Sequence, residues 1–276
     1  MIVETTSPIE RAEVSAPLMS VRALRKEYVV GKDGRRLVLD RVDLSVEAGK
    51  FVCLVGPSGA GKTTLLRCLA GLTEPTSGEI SLGGRPVVAP PAELAVVFQD
   101  YSRSLMPWMS VRSNVELPLR SRGVAKPERR KRADAMLEAV GLAPATHNQY
   151  PWQLSGGMQQ RVAIARALVC ETSIVLMDEP FASVDAQTRA DLEDLVLRIR
   201  QEFGVTIVLV THDIDEAVYL GDEVVVLSGS PSRVTQTIAV PFGAERDQIT
   251  TKSLPQFASL RAQVLTLISR QREPVG

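Results

Sequence analysis

The sequence predicts an α/β fold with a mainly parallel sheet and a small α-helical insert. Two apolar runs rich in β-branched residues, "SIVLMDEP" and "VTIVLVTHD", each lead into a helix-like segment, which is the pattern of parallel strands joined by crossover helices. Between residues 100 and 153 the chain is polar and interrupted by prolines, and "ERRKRADAMLEAVG" predicts a helix that ends at Gly141. The 276 residues are enough to bury a full core.

The N-terminal part of the chain is strand-like outside one helix. Residues 1–17 contain charged residues and no apolar core, so we expect a flexible tail there, and neither a signal peptide nor a membrane anchor. Short strand patterns separated by glycine or charged turns occupy residues 18 to 55 and 78 to 98. Between them, "KTTLLRCLAGL" predicts a helix that ends at Gly71.

The C-terminal segment, residues 236–276, predicts a short extension with one helix. "LPQFASLRAQVLTLISR" places Phe257, Leu260, Val264 and Leu267 at helical spacing, which indicates a face that packs against the rest of the chain. The extension is too short for a separate ligand-sensing domain of ordinary size.

Charge and composition argue against several classes of protein. Lysine plus arginine and aspartate plus glutamate both number 32, so the formal charge is zero and favours no nucleic-acid partner. The basic run at residues 129–132 shares its predicted helix with acidic residues, which is typical of a solvated face. No stretch approaches the ~20 apolar residues that a membrane helix needs, so any membrane role depends on a partner. Cys53, Cys68 and Cys170 lie far apart in apolar settings, which predicts core thiols in a reducing cytosol.

The segment "GPSGAGKTT" carries the strongest chemical signal. It fits G-x-x-x-x-G-K-[ST] between an apolar strand and a helix, which is the context of a phosphate-binding P-loop. Glycines let consecutive backbone amides surround phosphates, Lys62 supplies a charge for the β- and γ-oxygens, and the Thr63 hydroxyl can ligate Mg²⁺. The predicted nucleotide-binding residues are Gly56, Pro57, Ser58, Gly59, Ala60, Gly61, Lys62, Thr63 and Thr64.

Acidic and imidazole side chains follow two of the predicted strands. Asp178 and Glu179 come directly after "IVLM", and His212 ends the strand in "VLVTHD". In open α/β sheets, ligands bind at the carboxyl ends of the strands. We therefore predict that Asp178 holds Mg²⁺, that Glu179 polarises a water aimed at the γ-phosphate, and that His212 contacts that phosphate. His147, in the polar stretch "PATHNQ", is expected at the surface.

These motifs alone are compatible with several classes of nucleotide-binding enzyme. Guanine-specific switches usually carry Asn-Lys-x-Asp, but Asn114 and Asn148 precede valine and glutamine, which argues against a GTPase. A small-molecule kinase would act as a monomer and transfer phosphate to an acceptor.

A further stretch, "LSGGMQQRVAIARAL", suits a helix start at which Ser155 is the cap and Gly156 and Gly157 let an anion approach the backbone.

Together, these residues make the chain resemble the ATP-binding cassette (ABC) ATPase family over roughly residues 18 to 235. The P-loop is shared with many ATPases, whereas "LSGGMQQR" just before the "DE" strand is specific to this family. The resemblance implies a P-loop ATPase core with a mainly parallel sheet, an N-terminal antiparallel β subdomain and an inserted α-helical subdomain at about residues 100–160. It also implies ATP and Mg²⁺ as cofactors.

The resemblance assigns roles to further residues. Tyr28 looks like the aromatic residue that stacks on adenine, with an ordinary strand-edge tyrosine as the alternative. Gln99 looks like the glutamine that touches Mg²⁺ and water and reports the nucleotide state to the helical insert. Ser155 to Gly157 look like the signature that contacts the γ-phosphate bound by the opposite subunit, and Asp185 looks like the aspartate that crosses the dimer seam.

The resemblance implies an ATPase subunit that powers a membrane importer, with Glu179, His212 and Gln99 as its catalytic residues. The stretch "SLMPWMSVRSNVELPL" is similar to the importer branch for nitrate, sulfonate, taurine and bicarbonate. The implied partners are transmembrane permease subunits, a second copy of the chain in a nucleotide-sandwich dimer and, indirectly, a substrate-binding protein, but no nucleic acid. The implied location is peripheral, on the cytoplasmic face of the inner membrane. A nucleic-acid-acting ABC ATPase and an exporter ATPase are the alternatives.

Overall fold

The structure is a computed structural model that describes residues 16–31, 34–100 and 104–270. The flexible tail predicted for residues 1–17 therefore lies almost entirely outside the described residues. The fold consists of two sheets, a helical insert and a C-terminal helix, and the elements are numbered below in chain order.

The larger sheet has six strands in the order β10-β9-β3-β8-β7-β6. Their bounds are β3 Phe51–Val55, β6 Leu94–Val97, β7 Ile174–Asp178, β8 Thr206–Val210, β9 Glu223–Leu227 and β10 Val234–Ala239. All neighbouring pairs are parallel except β10 with β9. Strands β3, β7 and β8 are buried throughout, because helices cover both faces, and this explains their almost uninterrupted apolar sequences. The predicted α/β class with a mainly parallel sheet is confirmed.

The second sheet is antiparallel and confirms the predicted N-terminal β subdomain. Its order is β2-β1-β4-β5, with β1 Met19–Val30, β2 Gly34–Val46, β4 Ser77–Leu82 and β5 Arg85–Pro86. Helix α1, Lys62–Leu69, packs between the two sheets. Leu65 and Leu66 of this helix share a buried cluster with Leu39 of β2 and Leu54 of β3. The P-loop that precedes α1 is therefore held between the two sheets.

The predicted helical insert is also confirmed. It contains α2 Val111–Ser121, α3 Lys126–Ala139 and α4 Gly156–Leu168, with short 3-10 helices at residues 144–146 and 151–153. Asn114 is completely buried, and its side chain accepts from the Met106 amide and donates to the carbonyls of Met106, Met109 and Ser110. These hydrogen bonds fix the start of α2 to the segment that follows Gln99.

Among the described residues, three more helices follow the insert, and the last belongs to the C-terminal extension. They are α5 Ala186–Phe203, α6 Ile214–Leu220 and α7 Pro255–Ser269. Phe257 and Val264 of α7 are buried in the main core, and Leu260 and Leu267 pack against it, so the predicted packing face is confirmed. The extension thus shares its core with the rest of the chain, and β10 runs through the boundary predicted at residue 235.

The prediction that His147 lies at the surface is wrong. Its side chain is only 1% exposed, and its Nδ1 and Nε2 atoms lie 3.0 Å and 3.1 Å from Asp134 Oδ1 and the Leu142 carbonyl oxygen. Helix α3 brings Asp134 over the polar loop, so this histidine is a hydrogen-bonded core residue of the insert.

Two further predictions concern the burial of the cysteines and helices long enough to span a membrane. Cys53, Cys68 and Cys170 are free and buried, as predicted. Within the described part of the chain, no helix has both the length and the apolar character needed to span a membrane.

Candidate nucleotide site

The P-loop connects β3 to α1, and the neighbouring strands explain two of its glycines. A Cβ atom at Gly61 would lie 2.7 Å from Val38 Cγ1 of β2, and this residue also has a φ of +79°. A Cβ atom at Gly56 would lie 2.9 Å from the Leu227 carbonyl oxygen of β9. Any side chain at these positions would displace the loop, because neither a strand backbone nor a packed valine can move cheaply.

Lys62 lies at the first turn of α1 and is buried. Its ammonium group donates hydrogen bonds to the carbonyl oxygens of Gly56 and Pro57 at 2.9 Å and 3.1 Å. Burial lowers the pKa of Lys62, and the negative charges of Glu179 and Asp178 oppose this shift. The lysine charge is therefore concentrated inside the loop, where phosphate oxygens would bind.

Thr63 and Asp178 meet beside the P-loop. The Thr63 hydroxyl donates to Asp178 Oδ1 at 3.2 Å, and Asp178 is buried at the carboxyl end of β7. Burial raises the pKa of Asp178, and the hydrogen bond from Thr63 opposes this shift. No group of three or more His, Cys, Asp or Glu side chains that could hold a metal occurs among the described residues. A hydroxyl and one carboxylate nevertheless fit Mg²⁺, which uses one or two protein oxygens together with waters and phosphates.

Glu179 is at the centre of the predicted catalytic residues. Its Oε2 atom lies 3.4 Å from Gln99 Nε2 and 3.2 Å from His212 Nδ1. The residue has a φ of +44°, and its amide donates to the Val210 carbonyl of β8 at 2.8 Å. A non-glycine residue in this conformation costs about 1–3 kcal/mol and persists where the surroundings fix it. The structure thus brings Gln99, Glu179 and His212 together at the carboxyl edge of the sheet.

A cavity of about 540 Å³ connects the P-loop and Glu179 to the antiparallel sheet. It is lined by the P-loop, Glu179 and Tyr28, and Lys26 Nζ lies 5.1 Å from the centre of the Tyr28 ring. The tyrosine predicted to stack on adenine therefore faces the same cavity as the predicted phosphate-binding loop. Arg36 also lines this cavity and was missed from the sequence. It pairs with Tyr28 across the β1–β2 hairpin, and this register is the signal that could have found it.

The signature and Asp185 form a second group of predicted site residues. Ser155 caps α4, and its Oγ atom accepts from the Met158 amide at 3.3 Å. Asp185 caps α5, and its carboxylate accepts from the amide and the hydroxyl of Thr188 at 3.0 Å and 2.7 Å. These hydrogen bonds lower the pKa of Asp185. Gly157 packs against Thr188, so the two helix starts are in contact.

The signature group is separate from the cavity that contains the P-loop. Among the described residues that line this cavity, neither Asp185 nor any residue of Ser155 to Gly157 is present. The start of α5 already carries the Asp185 carboxylate, so of these two exposed helix starts the one at Ser155 suits an external anion.

Comparison with known proteins decides the family. A sequence model of the family described as ABC transporter matches residues 39–182. The chain belongs to the ABC transporter family. It is 46% identical over 239 residues to the taurine import ATP-binding protein of Chromobacterium violaceum, with 85% of this chain and 90% of the relative covered. It is 43% identical to a nitrate import ATP-binding protein of Synechocystis sp., with 88% and 92% covered.

Solved structures agree with this assignment. The ABC chain is similar to a dimeric ATP-binding cassette in a post-hydrolysis state bound to ADP and Pi, with a TM-score of 0.70 and 32% identity. The match covers 82% of this chain and 100% of the solved one. Family, fold and relatives together make this chain an ATPase of the ABC transporter family.

Proposed function

We propose that this ABC ATPase binds ATP with Mg²⁺ in the cavity between Tyr28 and the P-loop and uses its hydrolysis to drive uptake of a small anion through a permease. The observation that carries this proposal is the contact of Glu179 with both Gln99 and His212 beside the P-loop. A carboxylate, an amide and an imidazole at the carboxyl edge of a parallel sheet can together orient one water molecule.

Each side chain has a defined task in the hydrolysis step. Lys62 and the P-loop amides hold the β- and γ-phosphates, and Tyr28 stacks on the adenine ring. Glu179 accepts a proton from the attacking water while the bond between the γ-phosphorus and the bridging oxygen breaks. His212 donates a hydrogen bond to the γ-phosphate. Thr63, Asp178 and Gln99 would hold Mg²⁺, which would supply positive charge to neutralise the phosphate oxygens.

The signature acts on a second copy of the chain. Ser155 to Gly157 start a helix whose amides and dipole attract an anion, but they do not line their own chain's cavity in the described structure. A twofold dimer that places each signature on the partner's P-loop satisfies both helix starts at once. Asp185 lies beside the signature and therefore belongs to the same seam. The dimeric state of the solved neighbour supports this arrangement.

The helical insert supplies the surface for the permease. Trp152 is 71% exposed and stacks on Tyr150, with ring centres 6.2 Å apart, and Trp108 is also exposed. Exposed aromatic residues of this kind are typical of protein interfaces. The subunit then lies peripherally on the cytoplasmic face of the inner membrane. Its transport substrate is a small anion such as taurine, nitrate, another sulfonate or bicarbonate, delivered to the permease by a substrate-binding protein.

The Glu179→Gln variant tests the hydrolysis scheme. The amide retains the shape and the hydrogen bonds of Glu179 but is a poor proton acceptor, so we expect unchanged ATP affinity and a fall in turnover of about 10²- to 10⁴-fold. Binding is measured with a fluorescent ATP analogue and turnover by phosphate release. The same preparation should form a dimer that retains ATP, which analytical ultracentrifugation detects. Phosphate release at the wild-type rate would contradict the role of Glu179.

The transport step is tested by reconstitution with the permease in vesicles. Uptake of labelled taurine, nitrate, bicarbonate or an alkyl sulfonate should require ATP on the side of the ATPase subunit. ATP-dependent efflux would indicate an exporter, and stimulation of phosphate release by DNA without any permease would indicate a nucleic-acid-acting relative.

A further inference from the structure

The junction between β8 and α6 contains a buried carboxylate that the hydrolysis scheme does not use. Glu216 is only 4% exposed, and it accepts a hydrogen bond from the Thr211 hydroxyl at 2.6 Å. Burying a carboxylate is costly unless partners compensate for its lost hydration. A buried acid of this kind next to a reactive side chain is a candidate for a functional role.

Glu216 is connected to both chain neighbours of His212. The Thr211 hydroxyl, which donates to Glu216, also accepts from the Asp213 amide at 3.0 Å. Asp213 caps α6, and its Oδ1 atom accepts from the amides of Asp215 and Glu216 at 2.8 Å and 3.2 Å. The residues before and after His212 are therefore fixed by one hydrogen-bonded unit. The imidazole itself is 64% exposed, and its Nδ1 atom lies 3.2 Å from Glu179 Oε2.

Arg189 connects this unit to the dimer seam. Its guanidinium lies 3.6 Å from Glu216 Oε1 and 3.3 Å from Asp213 Oδ2. Arg189 is in the first turn of α5, and its amide donates to the carbonyl of Asp185 at 2.9 Å. The Arg189 side chain therefore lies between the start of α5 and the loop that contains His212.

We propose that Glu216 is a positioning residue that holds His212 against Glu179 and, through Arg189, couples the His212 loop to the start of α5 at Asp185. The proposal rests on the proposed function, because it takes His212 and Glu179 as the residues that act on the γ-phosphate. The proposal adds a chain of contacts through which the interface between two copies controls the position of His212 in the hydrolysis step.

The charge of Glu216 makes this coupling sensitive to pH near neutrality. Burial raises its pKa to about 7, while the Thr211 hydrogen bond opposes the shift. Asp213 and Glu193 raise the pKa further, and Arg189 lowers it. Glu193 is itself paired with Lys252, and the Cys53 thiol of β3 also lies within electrostatic reach of Glu216. As the pH falls through about 7, Glu216 takes up a proton and Arg189 loses one of its two anionic partners.

The Glu216→Gln variant separates positioning from a merely structural role. Its amide oxygen can still accept from Thr211, but the pairing charge for Arg189 is lost. We expect unchanged ATP affinity and a fall in kcat of about 10- to 100-fold at a pH of about 8, the range seen for residues that orient a reactive group. The wild-type fall in kcat below about pH 7 should disappear in the variant. Its thermal stability should not fall at pH 8, because the cost of an ionised buried carboxylate is removed.

Asp215→Asn is the matched control. Asp215 lies in the same first turn of α6 but is half-buried and pairs with Arg261 of the C-terminal helix at 2.7 Å. Its neutralisation changes the charge of the helix start in the same way, and it should leave kcat and its pH profile as in the wild type. A second pair tests the Thr211 hydroxyl that joins Glu216 to the Asp213 amide. Thr211→Ser keeps the hydroxyl and should be active, whereas Thr211→Val removes it and should lower kcat while the pH dependence due to Glu216 remains.

Histidine NMR measures the position of His212 without any ATP. The chain has only two histidines. His147 is buried, with both ring nitrogens hydrogen-bonded, and serves as an internal reference. The ring signals of His212 should shift in Glu216→Gln, whereas those of His147, and both sets in Asp215→Asn, stay unchanged. Unshifted His212 signals, or parallel losses of ATP affinity and kcat, would overturn the proposal. A wild-type chain that does not hydrolyse ATP would instead overturn the proposed function.

Discussion

Gly157 of the signature has no room for a side chain, and this makes Gly157→Ala an informative substitution. A Cβ atom there would lie 2.3 Å from Thr188 Cγ2. Thr188 cannot simply rotate away, because its hydroxyl donates to Asp185 Oδ2 at 2.7 Å. The alanine must therefore either break the Thr188 to Asp185 hydrogen bond or push α4 away from α5.

The expected cost follows from these two routes. Overpacking of this size costs about 1–3 kcal/mol, and losing a hydrogen bond to a carboxylate costs about the same. Alanine has a helix propensity about 1 kcal/mol more favourable than that of glycine, and part of this difference offsets the loss of stability. The net loss should be about 1–2 kcal/mol, which corresponds to a fall in Tm of about 2–8 °C for a chain of this size.

A double mutant tests whether the Thr188 methyl group is what excludes a side chain at Gly157. Thr188→Ser removes the Cγ2 methyl group but keeps the hydroxyl, which donates to Asp185, the residue that caps α5. Calorimetric Tm values for Gly157→Ala, Thr188→Ser and the double variant form a complete cycle. We expect the double variant to regain at least half of the loss caused by the alanine. Additive effects, with no recovery, would show that the methyl group of Thr188 is not what requires glycine at this position.

Other substitutions test the remaining parts of the site. Lys62→Ala should weaken ATP binding by about 10- to 100-fold, measured with a fluorescent analogue, because a charged donor to the phosphates is lost; an unchanged affinity would place Lys62 outside the site. A mixed dimer of Lys62→Ala and Ser155→Arg chains, both also carrying Glu179→Gln, should trap about one ATP, whereas either parent traps little. Failure of the assembled mixed dimer to trap ATP would contradict action across the seam. Trp152→Ala should leave phosphate release by the isolated subunit unchanged but weaken permease binding, measured by surface plasmon resonance, by about 2 kcal/mol. The control variant Phe203→Ala should bind the permease like the wild type. Equal permease binding by the two variants would exclude the Trp152 surface.

The carboxyl-edge residues could be predicted because local sequence determines them. Polar residues at or just after the end of an apolar strand lie at one edge of a parallel sheet. Asp178 ends β7, Glu179 follows it, and His212 lies two residues after the end of β8 at Val210. The P-loop has a similar local origin. No long-range information was needed to expect that these groups meet.

Residues that depend on distant pairing were not predictable in this way. Arg36 reaches the cavity because it lies opposite Tyr28 across the β1–β2 hairpin, a pairing that is defined only once the position of the hairpin turn is known. His147 is buried because α3 folds over its loop, although the loop itself is polar. Glu216 looks like an ordinary acidic residue at a helix start, and only its contacts with Thr211 and Arg189 distinguish it.

The two carbonyl partners of Lys62 have a consequence for selectivity. The ammonium group has three N–H donors, so a phosphate can take the one that the Gly56 and Pro57 carbonyl oxygens leave free, and it gains the other two only by displacing those oxygens. A small singly charged anion can use the free donor, whereas a polyphosphate brings several oxygens that can also replace the two carbonyl bonds. The same carbonyls can take the lysine back when the γ-phosphate leaves. The loop therefore favours ligands with several phosphate oxygens and keeps Lys62 hydrogen-bonded after the product leaves.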